Sequence, residues 1–186
     1  GGGSSELVWL ARGAPGARIA ERMKVWISMP LGVVTLAEEF GGEDVDEGVY
    51  EAMVARVTQA LAPFLAAVGG ERERARFHHL GTSGTVTTVA GVHLGLQRYE
   101  RRLVDGVWLD DVAAAAAVMA LRRMDYAARR AHGCIGPARA DLVLAGCAIY
   151  DAIRRAFPAP RLRVADRGLR EGILSELMAE DGIDHG

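Results

Sequence analysis

Cysteine is scarce: Cys134 and Cys147 are the only two. They form neither a Cys-x-x-Cys pair nor the disulfide framework of a small secreted domain, so free thiols in a reducing cytoplasm are expected. Charge of one sign is also lacking. The 22 basic residues face 24 acidic ones, for a formal net charge of −2. That balance excludes a strong pull toward nucleic acid or an anionic membrane surface. The basic runs Arg72 to Arg76, Arg98 to Arg102 and Arg122-Arg123 are short and interrupted or flanked by other residue types, and read as solvated helix ends. No apolar window is long enough for a membrane span, and residues 1–20 lack the basic start and apolar centre of a signal peptide. No internal repeat or long disordered tract is present. The 186 residues suffice for one good-sized domain or two small lobes.

Two glycine-rich turns dominate what is there. Gly1-Gly2-Gly3-Ser4-Ser5-Glu6 runs straight into the apolar Leu7-Val8-Trp9-Leu10. Gly81-Thr82-Ser83-Gly84-Thr85 follows a short apolar stretch and opens a helical segment. Glycines let backbone amides approach an anion, and Ser and Thr hydroxyls add donors. Such turns suit phosphate. The first also has the composition of a flexible Gly/Ser joint, but Ser5-Glu6-Leu7-Val8 continues it in register as a motif. It starts at residue 1 without an initiator methionine, which reads as a piece of a longer sequence.

The periodicities predict the elements. Segment 6–40 reads as an antiparallel meander of three strands, the last over Val33 to Phe40. Segment 44–69 reads as a helix capped by Asp44 or Asp46, kinked or ended early by Pro63 and stopped at Gly69-Gly70. A short strand, Arg76 to Leu80, leads into the second turn. A helix over Thr85 to Leu96 follows, with His93 on its apolar face. Asp110 or Asp111 caps an Ala-rich helix reaching His132. Arg139 to Phe157 is helical, Leu162 to Ala165 is a strand, and Leu169 to Met178 is a last helix. The late alternation of strand and helix argues for an α/β layer with partly parallel pairing.

Five stretches in this order resemble the second lobe of the Ppx/GppA family of exopolyphosphatases and guanosine pentaphosphate phosphohydrolases. They are Gly1 to Val8, Ser28-Met29-Pro30-Leu31-Gly32, Gly81 to Thr85, Arg139-Ala140-Asp141 with Ala145-Gly146, and Asp166-Arg167-Gly168-Leu169-Arg170-Glu171-Gly172. The resemblance implies an α/β, actin-like or ribonuclease H-like lobe with a mixed sheet in βββαβα…βα order. It implies that residues 1–186 are a single carboxy-terminal lobe lacking its first strand and the amino-terminal lobe. Strands left unpaired by that loss favour a homodimer or strand exchange. The activity implied is Mg²⁺-dependent release of terminal phosphate from polyphosphate or guanosine pentaphosphate, with this stretch inactive alone. The alternative is a non-catalytic phosphate- or nucleotide-binding module of the same fold.

By the same resemblance Glu6 is tied to water activation or to the metal. Gly2, Gly3, Ser4, Ser5, Gly81, Thr82, Ser83, Gly84 and Thr85 are expected at phosphate. Arg139 is either a ligand or an organiser of its helix start. Asp166 and Arg167 are expected to pair with each other and fix the last turn. His78 and His79 alternate on a strand and do not form a joint metal site. Cys147 is expected to be buried and inert.

Overall fold

Alternation builds the first unit of the chain. In the computed structural model, which describes residues 2–14, 18–74, 76–168, 172 and 177–178, strand β1 (Ser5–Leu10) pairs antiparallel with β2 (Met23–Met29). Leu7 faces Ile27, and Trp9 faces Val25, on the side turned to the core. Val8 and Trp26 face each other on the exposed side. A four-residue helical turn, α1 (Ile19–Arg22), precedes β2.

The expected third strand is a helix, α2 (Val33–Phe40). Val33, Val34, Leu36, Ala37 and Phe40 repeat with helical spacing, and that outweighs the strand preference of the two valines. The start is well tied. The Gly32 amide donates to Thr35 Oγ1 at 2.8 Å, and the Val34 amide donates to the Gly2 carbonyl at 2.8 Å. The early segment is therefore two paired strands, with the short α1 between them, and a helix rather than three strands.

Helix α3 (Glu47–Ala60) is capped by Asp46, whose Oδ1 accepts from the Val49 amide at 2.8 Å. Pro63 falls in the first turn of α4 (Ala62–Val68), where its missing amide costs nothing, and the two helices meet at a 47° bend. Gly69 ends α4 at φ +58. Next come α5 (Glu71–Arg74), β3 (His79–Gly81) and α6 (Gly84–His93). His93 is exposed at the last turn of α6, not packed as expected.

Then follow α7 (Arg101–Val104), the unforeseen strand β4 (Trp108–Asp110) and α8 (Asp111–Arg122). The long Ala-rich helix is broken, because Asp125 caps a new one, α9 (Tyr126–Ala131), by accepting from the Ala128 amide at 2.7 Å. Residues 139–142 form turns, and α10 (Val143–Ala156) starts later than expected. Strand β5 (Arg161–Val164) is the last element among the described residues. The expected helix over Leu169 to Met178 lies outside them, apart from Gly172, Leu177 and Met178.

A second sheet has the order β3-β5-β4, with β5 parallel to β3 and antiparallel to β4. Its Leu109, Leu162 and Val164 are buried. Among the described residues β1 pairs only with β2, and β3 only with β5. The segment leading into β3 packs on the first sheet: the Trp9 and Phe77 rings stack edge to face at 5.0 Å. No single helix among the described residues is long and apolar enough to cross a membrane.

Helix α10 is the centre of packing. Every residue from Val143 to Ala152 is buried, and the helix touches α2, α3, α6 and α8. Its one buried charge, Asp151, is satisfied. It accepts from the Tyr50 hydroxyl at 3.0 Å and from Arg154 Nε at 3.2 Å. Arg154 continues to both oxygens of Asp111 at 3.1 Å. Burial pushes the Cys147 thiol, fully enclosed here, up to about 12. Arg129 is also buried, and its guanidinium donates to the carbonyls of Gly42, Glu43 and Asp125, pinning the loop before α3.

His79 is the exception to this satisfaction. Its Nε2 is enclosed without a hydrogen-bond partner, and burial lowers its pKa below 6.5. A base held neutral in the fold gives up stability as pH falls from the unfolded value of about 6.5 through the depressed folded value. We expect the urea midpoint to drop between pH 7.5 and pH 5, and His79→Phe to drop less than the parent over that window. An equal drop in both would refute the assignment to His79.

Candidate functional site

The first glycine turn is held by its own hydroxyls. Glu6 and Ser28 are cross-strand partners on β1 and β2. Glu6 Oε1 accepts from Ser4 Oγ at 2.7 Å and from Ser28 Oγ at 3.2 Å. These bonds, that from Ser4 foremost, hold the Glu6 carboxyl below its usual range although it is exposed. Ser5 Oγ turns away and donates to the Leu31 carbonyl at 2.8 Å. Gly2 gives its carbonyl to the first amides of α2, so the start of that helix is already occupied. A Cβ on Gly2 would lie 2.9 Å from Val34, whereas Gly3 has open space.

The second turn is built differently. Ser83 caps α6, its Oγ accepting from the Val86 amide at 3.5 Å. Thr87 and Thr88 hydroxyls donate back to the Gly84 carbonyl at 3.0 and 2.8 Å. Within the described residues the amides of Thr82, Ser83, Gly84 and Thr85 form no hydrogen bond. Four successive free donors thus stand at the positive end of a ten-residue helix. Thr82, Ser83 and Gly84 are exposed. Gly81 must lack a side chain, since a Cβ would sit 2.8 Å from Val86.

Thr85 belongs to packing rather than to the open face. A Cβ on Gly146 of α10 would lie 2.1 Å from Thr85 Oγ1, so the glycine lets α6 and α10 touch. Arg139 lies beneath the same turn. Its guanidinium donates to the carbonyls of Cys134 at 2.8 Å, Ile135 at 3.3 Å and Gly84 at 3.4 Å. Among the described residues it has no carboxylate partner. Its positive charge is fixed yet uncompensated, next to the four free amides. The residue ties the turn, through the Gly84 carbonyl, to the Cys134–Ile135 segment.

Asp166 and Arg167 do not pair with each other. Asp166 Oδ2 accepts from the Tyr99 hydroxyl at 2.5 Å and meets Arg101 Nε at 3.3 Å. Arg167 Nε donates to Asp105 Oδ2 at 3.0 Å, and Asp105 Oδ1 accepts from the Asp166 amide at 2.9 Å. Both side chains find longer-range partners because α7 and the turn after it lie against the end of β5. That neighbourhood comes from β4, which the sequence pattern did not reveal. Burial, with help from Asp166, pushes the Tyr99 hydroxyl up to about 12. The cluster reaches the second turn through the backbone, as the Ala165 amide donates to the Gly81 carbonyl at 2.9 Å.

No hydrogen bond or ion pair among the described residues joins the two glycine turns. Among the described residues no group of three His, Cys, Asp or Glu side chains is arranged to hold a metal either. Two surface grooves, of about 250 and 420 Å³, lie elsewhere, beside Tyr50 and Arg122 and beside Arg154 and Pro158. Both glycine turns therefore lie outside these grooves.

Comparison with known proteins places this architecture. The model of the Ppx/GppA phosphatase family matches residues 1–181. The crystal structure of an exopolyphosphatase-like protein is 27% identical with a TM-score of 0.78, over 97% of this chain and 58% of that one. A Ppx/GppA family member from Aquifex aeolicus is 25% identical with a TM-score of 0.75, over 100% of this chain and 56% of its own. An exopolyphosphatase from Cytophaga hutchinsonii shares the fold at 20% identity and a TM-score of 0.76, with 99% and 56% covered. The chain thus spans a little over half the length of these structures. No curated protein matches it.

The contact between Thr85 and Gly146 is testable by a double-mutant cycle. Gly146→Ala should cost about 1–3 kcal/mol by overpacking. Adding Thr85→Ala should recover part of that loss, measured by urea denaturation. Purely additive effects would show that the two residues do not press on each other.

Proposed function

The chain belongs to the Ppx/GppA phosphatase family, and from that premise we propose that it forms one wall of a site releasing terminal phosphate from an oligophosphate, either polyphosphate or guanosine pentaphosphate. The observation behind this reading is the second turn: four unbonded amides in sequence beside the uncompensated charge of Arg139. Phosphoryl transfer needs positioned donors and charge neutralisation more than covalent help. Amides at a helix start and a fixed guanidinium supply both.

Glu6 provides the complementary anion. A carboxylate held below its usual range is a weak proton acceptor and a steady ligand. That suits it to orient an attacking water or to bind a cation. The residues fit Mg²⁺ in part: Glu6 Oε2 makes no bond in the Ser4–Glu6–Ser28 group and would be one oxygen of a shell completed by phosphate and water. When bound, the ion would neutralise charge on the phosphate oxygens. Ser4, released from Glu6, would turn its hydroxyl toward phosphate. In the reaction, water oxygen bonds to the terminal phosphorus, the bridging P–O bond breaks, the shortened oligophosphate leaves with the electron pair, and the proton lost by the water passes to the leaving oxygen or to solvent.

The match to little more than half the length of its structural relatives favours a division of labour, with the chain contributing a wall rather than a whole site. It also sustains a second reading, phosphate binding without turnover. We expect no phosphate release from the 186-residue chain and Mg²⁺-dependent release from a protein of full family length. In that longer protein Glu6→Gln should lower kcat by about 10²–10⁴-fold with a smaller change in KM. Full activity of the Gln variant would remove Glu6 from the chemistry, and turnover by the chain alone would refute the division of labour.

A further inference from the structure

We propose that Arg167, tethered by Asp105, is a second oligophosphate-binding arm flanking the Gly81–Thr85 turn; this rests on the reading that the turn takes phosphate. Three observations converge on it. The first is position. The Ala165 amide is bonded to the Gly81 carbonyl, and Gly81 directly precedes the four free amides. Arg167 lies two residues beyond that bond, so its backbone is anchored at the edge of the turn.

The second is preorganisation. Asp105 accepts from Arg167 Nε with one oxygen and from the Asp166 amide with the other. A single carboxylate thus fixes both the loop and the root of the guanidinium. Tyr99 and Arg101 hold the neighbouring Asp166 from the other side. The loop is clamped at two successive residues, which lowers the ordering cost of using a long side chain as a ligand.

The third is availability. The Arg167 side chain is 70% exposed, and only its Nε is bonded. Its two terminal amino groups have no partner among the described residues. A guanidinium held at Nε presents those groups as a fork, the geometry that binds two oxygens of one phosphate. Asp105, Asp166, Arg101 and Arg167 sum to no net charge, so the arm acts by placed donors rather than by a broad positive field. Asp105 is accordingly a positioning residue and Arg167 a binding residue.

The test is titration calorimetry of the whole 186-residue chain with inorganic tripolyphosphate and with longer polyphosphate, at several salt concentrations. Arg167→Ala should weaken binding about tenfold and reduce the log-affinity against log-salt slope by about one. Arg167→Lys should recover only part of the affinity, because an ammonium cannot form the fork. Asp105→Asn should weaken binding by less than Arg167→Ala and leave the salt slope nearly unchanged, since the guanidinium remains but is no longer held. Circular dichroism and thermal melting check that each variant is folded. If the parent binds and a folded Arg167→Ala variant binds equally well, the arm is refuted while the phosphate reading of the turn stands. If the parent binds neither probe, both fall together.

Discussion

The structure depends on how closely α6 and α10 approach. Thr85, the last residue of the second glycine turn, lies where a side chain on Gly146 would be. Because α10 is buried from Val143 to Ala152 and touches four other helices, the position of this contact is set by the whole core. The turn is thus a fixed projection of the interior, with Thr85 as its inward peg and Thr82 to Gly84 as its outward face. Arg139 adds a second attachment from below, joining the Gly84 carbonyl to those of Cys134 and Ile135. Rigid donors lose little freedom when an anion arrives, and they cannot relax away from it.

The two turns solve opposite electrostatic problems. At the first, a carboxylate gathers hydroxyls, and the nearby helix start is closed by the Gly2 carbonyl. At the second, amides stand open beside an unneutralised guanidinium. One is an acceptor surface fit for a cation or a water, the other a donor surface fit for phosphate oxygens. In the interior Asp151 is handled by pairing instead: it is enclosed only because Tyr50 and Arg154 supply hydrogen bonds to it.

Much of this was legible in the residues, for reasons that can be named. Two caps were readable where a short polar side chain preceded a periodic run, at Asp46 and Asp110. The bend at Pro63 and the stop at Gly69 followed from backbone chemistry. Ordered motifs carried the family. The misreadings came from competing local signals. Two valines concealed the helical spacing of α2, and the alanine run hid the new cap at Asp125. Strand β4 is three residues long and exists through its pairing with β5, a tertiary fact. For the same reason the partners of Asp166 and Arg167 were out of reach, because Tyr99, Arg101 and Asp105 come from α7 and its flanks. The satisfied state of Arg139 was equally invisible, since carbonyl partners leave no mark in a residue pattern.

Cys147 sits inside the most enclosed stretch of α10, with its thiol protonated at any ordinary pH. Thiolate is the form that reacts with alkylating reagents. Chemistry at this sulfur therefore waits for the surrounding helices to part. Under excess reagent the labelling rate of Cys147 becomes a clock for those rare openings, a reporter of internal breathing at a native residue.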